Sequence, residues 1–221
     1  MKVTALLVLL LVLTVCMTAL AETKVAVIYN AVYSNEYKND QTAILSSLGW
    51  SQDFYESTQV KTLVSKLNNY DVVIFNTLYN YTNTQNLADF GKEFRDYVSS
   101  GGCLVIPDAC YTQQTDWLRA IDPGLIWRCT GQPSGDEKKT ATRINSDHPL
   151  MQGVDAPVLA WTAPDYYGLG MTHLVDYTNG KPAAAVMEIG KGCVVVSTLT
   201  HFHGWPSTKF LGNMMKWTKD Q

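Results

Sequence analysis

The sequence has little charge of either sign and no basic run. Lys and Arg number 17 against 20 Asp and Glu, 17% of the 221 residues are charged, and the formal net charge is −3. The first 21 residues hold one charge, Lys2, so the remainder carries 16 basic and 20 acidic residues, net −4. Phosphate binding needs a basic surface, so nucleic acid is excluded as the expected partner. Histidines are few, four in all, and no spacing among them defines a metal site. No cofactor fingerprint is present either. Long apolar runs are missing beyond the first 21 residues, so no stable membrane span is expected once those are removed.

The one long apolar run lies at the amino end. Met1-Lys2 supplies a positive charge, residues 3–13 are almost wholly apolar, and Ala19-Leu20-Ala21 closes with the small-x-small pattern that signal peptidase accepts. This reads as a signal peptide over residues 1–21, followed by a single domain over 22–221, secreted or periplasmic. About 200 residues suffice for one buried core. Four cysteines then remain: Cys103, Cys110, Cys129 and Cys193. In an oxidising compartment they allow up to two disulfides in three pairings. Cys103 and Cys193 each open a strand after a glycine turn. If those strands are neighbours, their side chains meet at one sheet edge, which leaves Cys110 to pair with Cys129. Asn80-Tyr81-Thr82 fits the glycosylation acceptor pattern, which matters in a eukaryotic host.

Short buried strands alternate with helices. Residues 24–30, 70–77 and 103–109 are apolar runs bounded by turn residues, and residues 39–48, 60–67 and 87–99 between them have helical spacing. Residues 115–121 suggest a short helix, 140–145 an edge strand, and 157–177 strand-like fragments. Residues 183–189 and 193–199 form a hairpin around Gly190-Lys191-Gly192, and residues 207–217 a final helix. The pattern predicts an α/β fold: a flavodoxin-like, doubly wound, mostly parallel sheet with helices on both faces and a terminal hairpin.

In such sheets ligands bind beyond the carboxyl ends of the strands. That edge collects Asn30 and Tyr33, Asn76 and Tyr79, Asp108 and Cys110, and His201 and His203. Two chemistries compete there. Cys110, after a buried strand, is a candidate nucleophile with His201 or His203 as its base. Alternatively, Asn30, Asn76, Asp108 and Asp165, with Trp161 and Tyr166 as stacking faces, would hold a carbohydrate or another small polar ligand. His201 and His203, two apart, would face the same way in an extended segment, with Asp108 or Asp165 as a third metal ligand. Two histidines without a fixed third ligand do not make a site, so no metal is assigned.

Three segments carry a resemblance. The helix-to-strand passage from Tyr97 to Ala109, through Gly101-Gly102, resembles the class I glutamine amidotransferase-like superfamily. The segment Asp147-His148-Pro149-Leu150-Met151-Gln152-Gly153-Val154 is similar to the DHP-x-x-x-G stretch of its trehalose-utilisation (ThuA-like) branch. Residues 183–205 resemble that branch's paired final strands and histidine-bearing loop. The resemblance implies the fold, and places Cys110 near the family nucleophile and His201 near its catalytic histidine. Two features depart from the pattern: no glycines flank Cys110, and His203 is followed by Gly204 where the family has His-x-Glu. The ThuA-like branch generally lacks the glutaminase triad. What is expected is therefore a binding or accessory role without glutaminase chemistry. An extracytoplasmic Cys-His hydrolase and a module recognising another exported protein are the alternatives.

Overall fold

A strand with only apolar side chains has no face to give to water, so it belongs inside a sheet covered on both sides. The computed structural model describes residues 22–29, 34–75, 87–109, 115–129, 141–155, 166–177, 179–199 and 205–220, the side chains of 34–37 and 141–143 excepted. Its strands are β1 (Lys24–Tyr29), β2 (Ser51–Glu56), β3 (Val72–Phe75), β4 (Cys103–Ile106), β5 (Trp127–Arg128), β6 (Ala141–Ile144), β7 (Tyr166–Tyr167), β8 (Thr172–Tyr177), β9 (Pro182–Ile189) and β10 (Gly192–Ser197). Its α-helices are α1 (Ser34–Ser47), α2 (Val60–Val64), α3 (Gly91–Ser99) and α4 (Thr208–Lys219).

Eight strands form one sheet in the order β2-β1-β3-β4-β10-β9-β8-β6, and β5 pairs with β7 as a separate ribbon. The first five strands run parallel. The last three join antiparallel, beginning with the β9–β10 hairpin. The parallel half has the flavodoxin-like order, with β10 as its fifth strand, and this order reverses direction between β1 and β3. The expected mostly parallel, doubly wound sheet with a terminal hairpin is what the chain forms. The strand expected over residues 140–145 is the edge strand β6.

Alternation along each strand divides the core in two. Ala26 and Ile28, Val73 and Phe75, Leu104 and Ile106, and Val194 and Val196 face α2 and α3, which contribute Leu63, Phe94, Tyr97 and Val98. Val25 and Val27, Val72 and Ile74, Val105 and Val195 face α1 and α4, which contribute Leu45, Phe210, Leu211 and Met214. Two helix ends have a clear local cause. The Ser207 hydroxyl accepts from the Phe210 N–H and caps α4. Gly101, at φ +119, carries the chain out of α3 towards β4 in a conformation that disfavours any side chain.

Two strands, β2 and the two-residue β5, have no counterpart among the sequence expectations. β2 reads Ser-Gln-Asp-Phe-Tyr-Glu and buries only Tyr55. It lies at the edge of the described sheet with only one side chain buried, so it carries no apolar run to detect. The short helix expected over residues 115–121 is a 3-10 helix, Asp116–Ala120.

Candidate functional site at the carboxyl edge

The chain leaves β4 through Pro107 and enters Asp108 at φ +56, the one non-glycine residue in the left-handed region among the described residues. Aspartate tolerates this conformation better than most side chains because its short polar group bonds locally, yet it still costs up to about 1–2 kcal/mol. The surroundings impose it. The Asp108 N–H donates to the Leu199 carbonyl at 3.2 Å, and the Ala109 N–H donates to the Ser197 carbonyl at 2.8 Å. The turn after β4 is thereby tied to the outgoing end of β10. The Ser197 hydroxyl in turn accepts from the Leu199 N–H at 2.8 Å, closing that end. Asp108 is buried, with 8% of its surface exposed.

The Ala109 carbonyl takes two further donors. Trp127 Nε1 reaches it at 3.1 Å and Cys129 Sγ at 3.3 Å. This fastens β5 to the residue that follows Asp108. β5 pairs with β7 in the register Trp127 to Tyr167 and Arg128 to Tyr166. Tyr166 is 70% exposed, so the ribbon offers an aromatic face to solvent while its other strand is anchored beside the elbow. Thr115 Oγ1 donates to the Trp127 carbonyl, which fixes the ribbon from below.

Of the residues singled out in the sequence, Asp108 and Tyr166 are described, and hydrogen bonds plus strand pairing link the elements that carry them. Asn30, Asn76, Cys110, Trp161, Asp165, His201 and His203 lie outside the described residues. Cys129 is a buried thiol, as are Cys103 and Cys193. The last two do meet, with the sulfurs 3.0 Å apart, at the amino end of the sheet and away from the carboxyl edge. That separation exceeds an S–S bond of about 2.05 Å. The expectation that two glycine-flanked strands bring these cysteines together holds as geometry, with the sulfurs as thiols.

Two polar groupings escaped the sequence reading. At the outgoing end of β1, Lys38 Nζ sits 3.9 Å from the Tyr29 ring centroid, and Tyr29 donates to Glu56 Oε1 at 3.4 Å. The second grouping is on β8. His173 and Asp176 are three residues apart and belong on opposite faces of a regular strand. Shifts in register on both sides of Val175 break that regularity. His173 Nδ1 then lies 2.9 Å from Asp176 Oδ1, and the His173 ring packs edge-on to Tyr167 with centroids 5.0 Å apart. No residue pattern announces a bulge, so this pair was not legible. Among the described residues no group of three or more His, Cys, Asp or Glu is placed to hold a metal ion, and no helix is long and apolar enough to cross a membrane.

The strand order and the sheet covered on both faces define a flavodoxin-like α/β layout. Solved structures share it at low identity. A cytoplasmic protein of Salmonella typhimurium matches with a TM-score of 0.64 at 14% identity, covering 88% of this chain and 98% of that one. A glutamine amidotransferase of Thermotoga maritima matches with a TM-score of 0.57 at 11% identity, covering 90% and 83%. The exo-beta-1,4-mannosidase Op5Man5 of Opitutaceae bacterium strain TAV5 matches with a TM-score of 0.50 at 13% identity, covering 93% of this chain and 36% of that one. No protein-family profile matches the chain, and no curated protein matches its sequence. At these identities the likeness shows the fold.

Proposed function

We propose that this chain is an exported, amidotransferase-like binding domain that holds a carbohydrate, or another small polar ligand, at the carboxyl edge of its sheet without hydrolysing glutamine. The observation that carries this reading is the left-handed backbone at Asp108. In hydrolases with a strand-to-helix elbow the nucleophile occupies the sharp, strained turn at the strand end. Among the described residues that conformation belongs to an aspartate, Asp108, two positions before Cys110. A carboxylate at this turn is a hydrogen-bond acceptor of the kind that pairs with hydroxyl groups. The exposed Tyr166 ring, on a ribbon fastened beside Asp108, supplies an apolar face of the kind on which a sugar ring packs. The likeness to about a third of a mannosidase chain points the same way. Export is supported by the apolar run and small-residue pattern of residues 1–21.

The test is titration calorimetry of the purified protein against β-1,4-linked mannobiose and a panel of other disaccharides, with a parallel assay for ammonia release from glutamine. Saturable binding that weakens at least tenfold in Tyr166→Ala, with no ammonia released, is the expected result. Ammonia release abolished by Cys110→Ala would replace this reading with the Cys-His hydrolase that uses His201 or His203. Absence of binding to every sugar in the panel would overturn the carbohydrate assignment.

A further inference from the structure

The Gly101-Gly102 turn into β4 and the Gly190-Lys191-Gly192 turn into β10 end at the same level of the sheet. The two strands pair in parallel with Cys193 opposite Cys103. Neighbouring strands lie about 4.8 Å apart, inside the window of 4.4–6.8 Å between Cα atoms that a disulfide spans. Both side chains point to the face covered by α1 and α4, and their sulfurs are 3.0 Å apart. Ordinary heavy-atom packing contacts are longer, at about 3.5–4.0 Å. The backbone is shaped for this approach: a Cβ on Gly192 would strike the carbonyl oxygens of Gly102 and Val98. Packing alone explains a buried cysteine, since free cysteine is among the most buried residue types. It does not explain two in register with their sulfurs inside packing distance.

We propose that Cys103 and Cys193 form a disulfide that staples β4 to β10 while the chain folds in the presence of an oxidised dithiol or glutathione disulfide. Both residues are 0% exposed in the folded chain, and the Cys193 thiol is pushed well above its usual range by its hydrogen bond with Cys103 and by burial. Burial closes both sulfurs to an external disulfide after folding, so exchange has to precede burial. The Cys103 thiolate attacks one sulfur of glutathione disulfide, forming a mixed disulfide and releasing one glutathione. The Cys193 thiolate then attacks the Cys103 sulfur and releases the second glutathione. Two electrons pass from the protein to the glutathione pair, and the two thiol protons end on the released glutathiones.

The experiment needs only the purified full chain and does not depend on where it is made, so it stands apart from the export and ligand readings. Reduced, denatured protein is refolded with a glutathione redox pair or with dithiothreitol, alkylated under denaturing conditions, digested and mapped by mass spectrometry. The expected product of oxidative refolding is a Cys103 peptide joined to a Cys193 peptide, 2 Da lighter than the two thiol peptides together. Dithiothreitol added to the folded product should leave the bond intact, and should break it after denaturation. The bond closes a loop across 90 positions, so the oxidised protein should melt about 10 °C above the reduced one. Cys103→Ala and Cys193→Ala should each melt at the same temperature in both buffers. Cys103 and Cys193 both alkylated after oxidative refolding, or joined to other cysteines, would overturn the proposal.

Discussion

Asp108 combines two properties that seldom coincide, a buried carboxylate and a left-handed backbone. They can be separated by substitution. Asp108→Gly and Asp108→Ala both remove the carboxylate, but only glycine adopts positive φ without a Cβ penalty. The glycine variant should therefore be the more stable of the two by about 1 kcal/mol in urea denaturation; equal stabilities would show that the turn is not held in this conformation. The place of Asp108 at a strand end was readable from the apolar run that precedes it. Its conformation was not, because left-handed turns are normally marked by glycine or asparagine, and here the neighbours are Pro107 and Ala109. Hydrogen bonds from the distant Ser197–Leu199 stretch impose the turn, and these exist only after the sheet has assembled.

At the scale of elements, His148 shows how one side chain joins two of them. Its Nδ1 accepts from the Leu150 N–H at 3.3 Å and so caps the short 3-10 helix Pro149–Met151. Its ring packs edge-on to Trp217 of α4 at 5.7 Å. Partial burial lowers its pKa below the usual histidine value, and Glu188 opposes this with a weaker upward pull. A lowered folded-state pKa means that the unfolded chain takes the proton first. The stabilisation is complete above about pH 6.5, the unfolded value, and is lost as pH falls through the folded value. His148→Asn keeps an acceptor at the cap and removes the titration. Its melting temperature should fall less than that of the parent chain between pH 7 and 5, and parallel curves would refute this role. Elements with a dense apolar run were legible in the sequence: β1, β3, β4, β9, β10 and the amphipathic α3 and α4. Those stabilised by position were not. β2 is specified by the neighbour it pairs with; β8 falls within the strand-like fragments expected over 157–177, but its distortion is a change of register that no single residue encodes.

Across the whole molecule, the two features of β4 lie at opposite ends of one strand. Cys103 opens it and Asp108 follows it, five residues on, or about 16 Å at strand rise. Sites this far apart that share no partner contribute independently. Under reducing conditions the stability change of the Cys103→Ala/Asp108→Ala double variant should equal the sum of the two single changes within about 0.5 kcal/mol. A larger discrepancy would mean that strain at the elbow is transmitted along the strand to the glycine turns.

The edge strand β2 bears on how copies of this chain behave at high concentration. An open sheet presents unpaired backbone at its margins, a template on which another chain can add a strand. Along this margin stand Asp53 and Glu56, both exposed. Asp53 is held in place by the Tyr70 hydroxyl, which donates to it at 2.7 Å and is itself bridged to the Tyr55 hydroxyl at 2.6 Å. A second β2 arriving antiparallel would bring these carboxylates towards one another. The polar composition that hid β2 in the sequence thus disfavours strand addition at this margin, with the Asp53 carboxylate oriented by two buried tyrosines.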